Sequence, residues 1–216
     1  KNIIKRYTKG IMMESIEICY PKNNEGEFIE IAKKLGIKNL IMIYSDYQTL
    51  LKNKNKNIKN KLKLFYGLES SKTIKNRIDI GINIIISPSC TRGDIENKFI
   101  NLHYNFENIL GKDKIHFRRS GINQVIANIL LQKNKIVGVS VQNLLDLSKQ
   151  KKLGRIKQNF KILRKYNVPI YMSSFANKRY NLRSLSCINS LGKTLGLTDQ
   201  QIIKGNEKLI SILKNK

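Results

Sequence analysis

Residues 39–51 read NLIMIYSDYQTLL, a short apolar run followed at once by polar residues and an amphipathic stretch. The run from Asn39 to Tyr44 is almost uninterrupted by polar residues, which is typical of a parallel strand buried on both faces. Ser45 is a common helix-capping residue, and Tyr47, Leu50 and Leu51 then share one helical face. The stretch therefore predicts a buried strand followed by a helix that packs against it.

The same order of strand and helix recurs on both sides of this stretch. Upstream, Ile16, Ile18 and Tyr20 alternate with polar residues ahead of a helical pattern over residues 28–35. Downstream, strands are predicted over residues 62–68, 82–87, 99–103, 114–117, 136–141 and 168–172. Helices are predicted over residues 73–78, 120–130, 154–166 and 183–195, with a last one capped by Thr198 and Gln201. Alternation of this kind implies parallel strands and right-handed crossovers, and the number of short strands favours a TIM-barrel-like α/β fold. We expect a basic tail over residues 1–11 and a single barrel domain over residues 12–216.

The charge balance indicates the kind of partner. The chain of 216 residues carries 41 Lys and Arg against 15 Asp and Glu, a formal net charge of +26. A protein with this charge repels itself, and a dense polyanion relieves the repulsion by releasing condensed counterions. Compositional bias toward Lys, Asn and Ile is the competing explanation, but such a bias would add lysine without removing acids. Nucleic acid is therefore the favoured partner.

In a parallel barrel, functional side chains collect on the loops that follow the strands. Five of the nine arginines fall on these predicted loops: Arg92, Arg118, Arg119, Arg179 and Arg183. Arginine suits bidentate recognition of phosphate, although a single loop arginine is commonly only a solvated surface residue. Their convergence at one end of a barrel would form a phosphate-binding face.

The helix predicted around residues 155–166 is a second basic surface. Ile156, Phe160 and Leu163 form its expected buried stripe, while Lys157 and Arg164 lie off that stripe with no acid among them. A merely solvated face usually interleaves both signs of charge, so RNA contact is favoured here, with the solvated face as the alternative.

Motifs for catalysis are not visible in the sequence. The two histidines, His103 and His116, are too few for a histidine-rich metal cluster, and no glycine-rich phosphate loop follows the first strand. No Ser or Cys has an identifiable base and orienting group. The apolar runs are far too short to span a membrane, and the three scattered cysteines fit a reducing compartment. We therefore expect a cytoplasmic chain without membrane attachment.

Three motifs in the second half carry a resemblance to a known family. Residues 118–131 read RRSGINQVIANILL, residues 167–176 read NVPIYMSSFA, and residues 180–183 read YNLR. The run over residues 117–206 resembles ribonuclease P protein component 3, the thirty-kilodalton subunit family of archaea and eukaryotes. The sequence departs from that family at Gln124, where His is common, and at Phe175, where Gly is usual.

The resemblance implies a barrel related to the polymerase and histidinol phosphatase superfamily, without its metal cluster. It implies a non-catalytic subunit of ribonuclease P, whose RNA, with bound Mg²⁺, removes the 5′ leader from precursor tRNA; no cofactor is expected on this chain. The implied partners are ribonuclease P RNA, precursor tRNA within the complex, ribonuclease P protein component 2 and other ribonuclease P proteins. A metal-dependent phosphoesterase of the same superfamily and an unrelated basic RNA-binding protein, such as a ribosomal subunit, are the alternatives.

Loop position, charge and resemblance together define the candidate site residues. The residues predicted to bind RNA are Arg92, Arg118, Arg119, Asn123, Arg155, Lys157, Lys161, Arg164, Ser173, Ser174, Lys178, Arg179 and Arg183. Phe175 and Tyr180 are predicted at the protein partner interface, with filling of the barrel mouth as the alternative for Phe175. No catalytic or metal-binding residue is predicted.

Overall fold

Seven parallel strands in chain order form one sheet in the computed structural model, which describes residues 14–55, 62–70, 82–145 and 151–214. The strands are β1 (Ile16–Cys19), β2 (Asn39–Tyr44), β3 (Lys63–Glu69), β4 (Ile84–Ser87), β5 (Leu102–His103), β6 (Ile136–Ser140) and β7 (Ile170–Ser173). Each strand pairs with the next one along the chain, so every crossover returns to the adjacent position.

Helices cover the outside of the sheet. In the described ranges they are α1 (Glu25–Lys34), α2 (Tyr47–Lys54), α3 (Arg92–Glu96), α4 (Gln124–Gln132), α5 (Val141–Leu144), α6 (Lys151–Lys165), α7 (Leu185–Thr194) and α8 (Asp199–Lys214). Alternate residues of β2 belong to different cores: Leu40 and Met42 pack with α1, whereas Ile41 and Ile43 pack inside the sheet. This burial on both faces is the reason why residues 39–44 are continuously apolar.

The sheet curls until its first and last strands meet. Cys19 and Ala176 form a parallel bridge, in which Tyr20 N donates to Ala176 O at 2.8 Å and Ala176 N donates to Ile18 O at 3.1 Å. The Tyr171 hydroxyl crosses the same seam and donates to Ile16 O at 2.6 Å. The predicted TIM-barrel-like α/β fold is confirmed as a nearly closed seven-stranded barrel.

Several local predictions need correction. Residues 114–117 are not a strand but a turn, closed by Lys114 N donating to Phe117 O at 3.0 Å. Asp46 rather than Ser45 caps α2, and α4 begins at Gln124 rather than at residue 120, capped by Asn123, which accepts from Ile126 N. In both cases the capping carboxylate or amide stands directly before the first helical residue.

Other local predictions are confirmed or lie outside the described ranges. Thr198 and Gln201 form the predicted reciprocal cap of α8, with the Gln201 carbonyl accepting from Thr198 N at 3.1 Å. The helix predicted over residues 73–78 and the basic tail over residues 1–11 lie outside the described residues. None of the described helices is both long enough and apolar enough to cross a bilayer.

Candidate nucleic-acid interface

The carboxyl ends of the seven parallel strands lie at one end of the barrel, which we call the carboxyl face, together with the described segments that follow them. Arg92 follows β4, Arg118 and Arg119 follow β5, and Arg179 and Arg183 follow β7. The first three side chains are exposed, and the last two are partly exposed. The predicted convergence of these five arginines on one end of the barrel thus follows from the observed topology.

Three of these arginines are held in place by local contacts. Arg92 pairs with Glu96 one helical turn later, at 2.9 Å on an exposed surface. Arg179 lies 3.3 Å from Glu27 and stacks over the ring of Tyr180, with its guanidinium carbon 4.6 Å from the centroid. Arg183 Nη1 donates to the carbonyl oxygen of Tyr180 at 2.6 Å. Such contacts orient the guanidinium groups while leaving them at the surface.

Arg155 does not share this exposure. Its side chain is buried, and its five N–H donors all have partners. Two donate to Asp113 Oδ1, at 2.9 and 2.8 Å, and three donate to the backbone carbonyls of Glu107, Ile109 and Gly111. We therefore correct the prediction for Arg155: it anchors the loop after β5 and is not available to phosphate.

Ser173 and Ser174 are also buried, at the seam between β1 and β7. The Ser173 hydroxyl donates to Glu17 Oε2 at 2.9 Å and accepts from Ile18 N at 2.9 Å. The backbone N–H of Ser174 donates to the same carboxylate oxygen at 2.8 Å, and its hydroxyl accepts from Arg183 N. The prediction that these serines contact RNA is corrected, because their polar atoms close the barrel instead.

Glu17 is the unexpected member of this seam. The side chain is almost fully buried, and burial raises its pKa from the ordinary value of 4.5 to about 7, against the opposing effect of the hydrogen bonds from Ser174 and Ser173. Oε1 has no hydrogen-bond partner among the described residues. The carboxyl group is thus poised to change its protonation state near neutral pH.

The mouth of the barrel at the carboxyl face is filled with aromatic side chains. Tyr20 Oη lies 3.0 Å from Glu69 Oε1 and 2.9 Å from Tyr104 Oη, and the Tyr104 hydroxyl donates to the same carboxylate oxygen. Burial raises the pKa of both phenols, so they remain protonated donors. Phe175 stacks on Tyr104 with ring centroids 4.9 Å apart. We call Tyr20, Glu69, Tyr104 and Phe175 the mouth cluster.

The remaining candidates lie at the surface. Lys157, Lys161 and Arg164 are exposed on the outer side of α6, and the buried stripe of Ile156, Phe160 and Leu163 beneath them is as predicted. Asn123, Lys178 and Tyr180 are exposed near the carboxyl face. RNA contact by the exposed cations and Asn123, and contact of Tyr180 with a protein partner, stay predictions.

Among the proteins that are similar to this chain are two curated proteins and two solved structures. Ribonuclease P protein component 3 of Methanococcus vannielii is 24% identical over 184 residues, which cover 82% of this chain and 70% of that protein. The same component of Methanosarcina mazei is 28% identical over 89 residues, which cover 40% of this chain and 37% of that protein. The predicted resemblance to ribonuclease P protein component 3 is thus confirmed by similarity to two curated proteins of that name. No protein-family model matches the sequence.

Two solved structures share the fold of this chain. A chain in a cryo-EM structure of archaeal ribonuclease P with mature tRNA has a TM-score of 0.70 at 18% identity, covering 93% of this chain and 90% of that chain. A crystal structure of an uncharacterized protein has a TM-score of 0.51 at 5% identity, covering 93% of this chain and 74% of that chain. The barrel architecture is therefore shared beyond detectable sequence identity.

Phe175, where the resembling family was expected to have glycine, has a backbone conformation that glycine adopts readily. Its φ of 47° lies in the left-handed region that favours glycine. The ring is buried, and it fits because Gly138 of β6 has no side chain: a Cβ there would lie 3.0 Å from the Phe175 ring. The prediction that Phe175 contacts a protein partner is corrected, since the ring fills the barrel mouth.

Sequence reasoning missed the mouth cluster and Glu17. Glu17 fits the alternation of Ile16 and Ile18 with polar residues, so the strand pattern did not mark it as buried. No group of three or more His, Cys, Asp or Glu side chains in the described ranges is arranged to hold a metal ion.

Proposed function

We propose that this chain is a protein subunit of ribonuclease P that supports the catalytic RNA in removing the 5′ leader from precursor tRNA. The observation that carries the proposal is the similarity to component 3 of Methanococcus vannielii, which runs through 82% of the chain. The net charge of +26 agrees with a large RNA as the partner.

RNA would contact the exposed cations of the carboxyl face and of the outer side of α6. Exposed guanidinium groups such as Arg118 and Arg119 can neutralise backbone phosphates without reading sequence. Folding a large RNA brings phosphates together, and cations held on a rigid barrel favour that arrangement at lower salt than free ions would. Precursor tRNA would be bound by the assembled ribonuclease P complex.

The proposal assigns the chemistry to the RNA and its Mg²⁺, with no catalytic residue or cofactor on this chain. The mouth cluster supports this assignment, because hydrogen-bonded aromatic side chains occupy the end of the barrel where enzymes of this fold place their substrate. Ribonuclease P protein component 2 is the proposed direct protein partner, with other ribonuclease P proteins in the same assembly.

Reconstituted cleavage of precursor tRNA tests the proposal. Adding the chain, with component 2, to ribonuclease P RNA from the same organism should lower the Mg²⁺ needed for cleavage at the mature 5′ end. Arg92→Ala and Arg119→Ala should each reduce the salt dependence of RNA binding by about one phosphate contact. Lys38→Ala is the matched control, because Lys38 is an exposed cation directly before β2, at the other end of the barrel.

Three results would count against the proposal. Cleavage that is unchanged by the wild-type chain at every Mg²⁺ concentration would exclude the subunit function. Equal salt slopes for the wild type and both arginine variants would remove the carboxyl face from the RNA interface. Phosphoesterase activity of the isolated chain that disappears in His103→Ala would favour the metal-dependent alternative.

A further inference from the structure

The loop between β5 and α4 exposes an unusual amount of apolar surface. Nine large hydrophobic side chains are exposed in the described ranges, and four of them lie in residues 109–117. Ile115 is 97% exposed, Leu110 89%, Phe117 52% and Ile109 37%. Clustered exposure of this kind marks an interaction site more often than scattered apolar residues do.

This loop is built rigidly in spite of its exposure. Arg155 binds three of its carbonyl oxygens and the Asp113 carboxylate, as described above. Gln158 holds the other end, donating to Arg118 O and accepting from Arg118 N, at 2.8 and 3.0 Å. Asn159 donates to Ser120 O at 2.8 Å. We call residues 107–120 the anchored loop; its backbone is fixed to α6, so a partner would not have to order it.

The charges around the apolar side chains have one sign. Residues 108–119 contain Lys112, Lys114, Arg118 and Arg119, and the carboxylate of Asp113 is engaged by Arg155. All four cations are exposed. The anchored loop is therefore an apolar centre with a cationic border, which is complementary to an apolar depression bordered by carboxylates.

Two other occupants fit less well. A second copy of this chain would bring another charge of +26 to the same place. RNA would suit the cations, but bases stack on aromatic rings, and the two most exposed side chains, Ile115 and Leu110, are aliphatic. Burial of aliphatic side chains contributes most binding free energy when they enter a closely packed apolar pocket of a protein.

We propose that the anchored loop is a docking surface for a protein whose contact face has an apolar pocket bordered by carboxylates. This inference rests on the proposed function, in which the chain assembles with ribonuclease P proteins. Arg155 acts as a positioning residue, since it fixes the loop without reaching the partner. The surface does not include Phe175 or Tyr180, so it is distinct from the partner interface predicted at Tyr180, which stays a prediction.

The test uses the full chain and purified component 2 from the same organism, mixed without RNA and measured by titration calorimetry. Ile115→Glu and Leu110→Glu should each weaken the affinity at least about tenfold, because each places a charge in the apolar centre of the contact. Leu131→Glu is the matched control, because Leu131 is 44% exposed near the end of α4, at the opposite end of the barrel. The affinity of this variant for component 2 should equal that of the wild type. Circular dichroism melting checks that all three variants fold.

The outcomes separate this inference from the proposed function. Wild-type affinity in Ile115→Glu and Leu110→Glu would overturn the docking surface while leaving the subunit function intact. A wild-type chain that stimulates RNA cleavage but does not bind component 2 would overturn the docking surface for this partner. If Ile115→Glu weakens RNA binding as much as Arg119→Ala and leaves component 2 binding unchanged, the occupant is RNA and the inference fails. Failure of the wild type in both cleavage and binding would instead reject the proposed function.

Discussion

Substitution of Glu17 by glutamine should change how the stability of the barrel depends on pH. Glu17 is 1% exposed, and its Oε2 accepts from Ser173 Oγ and Ser174 N across the seam that closes the sheet. Its folded-state pKa is about 7, against an ordinary value of 4.5. Between these values the folded chain keeps the proton and the unfolded chain releases it. The free energy of unfolding therefore falls as pH rises through this window.

The size of the effect follows from the pKa difference. A difference of about 2.5 in pKa corresponds to about 3 kcal/mol at a pH above both values. The glutamine side chain in Glu17→Gln keeps an oxygen that accepts both hydrogen bonds and carries no charge at any pH. The variant should therefore lack this contribution, so its stability relative to the wild type should rise by about 3 kcal/mol between pH 4 and pH 8.

Urea denaturation at several pH values, followed by circular dichroism, measures this difference. His103 has the opposite slope, because burial lowers its pKa from 6.5 to about 4 and the folded chain gains stability as pH rises between these values. Both proteins contain His103, so its contribution cancels in the comparison. Parallel stability curves for wild type and Glu17→Gln would refute the argument that a buried, protonated carboxyl group closes the seam.

Two further substitutions test the anchoring of the loop and the packing of the last helix. Arg155→Lys keeps the charge but removes the planar fork, so amide hydrogen exchange in the anchored loop should quicken at least about tenfold while the barrel strands stay protected; unchanged exchange would show that Arg155 does not hold the loop. Gly205→Ala should lower the free energy of unfolding by about 3 kcal/mol, because a Cβ on α8 would overlap the backbone carbonyl of Ile170. Gly26→Ala is its control: nothing lies within 4 Å of the added Cβ, so urea denaturation should show no loss of stability.

Local patterns in the sequence predicted the barrel because each strand and helix is a short, continuous signal. The apolar run of β2 and the stripe of Ile156, Phe160 and Leu163 both reflect burial by near neighbours in the fold. The positions of single polar side chains were harder to predict. Arg155 was predicted to belong to a basic surface. In the fold its N–H groups instead donate to residues 107–113, which lie more than forty positions earlier in the chain. Glu17 meets Ser173 across 156 positions, a separation that no local pattern encodes.

The filled mouth of the barrel explains why the proposed binding functions lie on the loops. In a barrel enzyme the carboxyl ends of the strands surround a pocket, and substrate is bound inside it. Here Tyr104, Phe175 and their neighbours pack in that space, so we assign the proposed contacts to the outer surfaces of the loops above it. The apolar centre of the anchored loop, with Leu110 and Ile115, differs in chemistry from the guanidinium groups that follow β4 and β7. On the functions proposed above, one scaffold would offer the apolar centre to a protein and the guanidinium groups to RNA, with Arg118 and Arg119 at the border between the two surfaces.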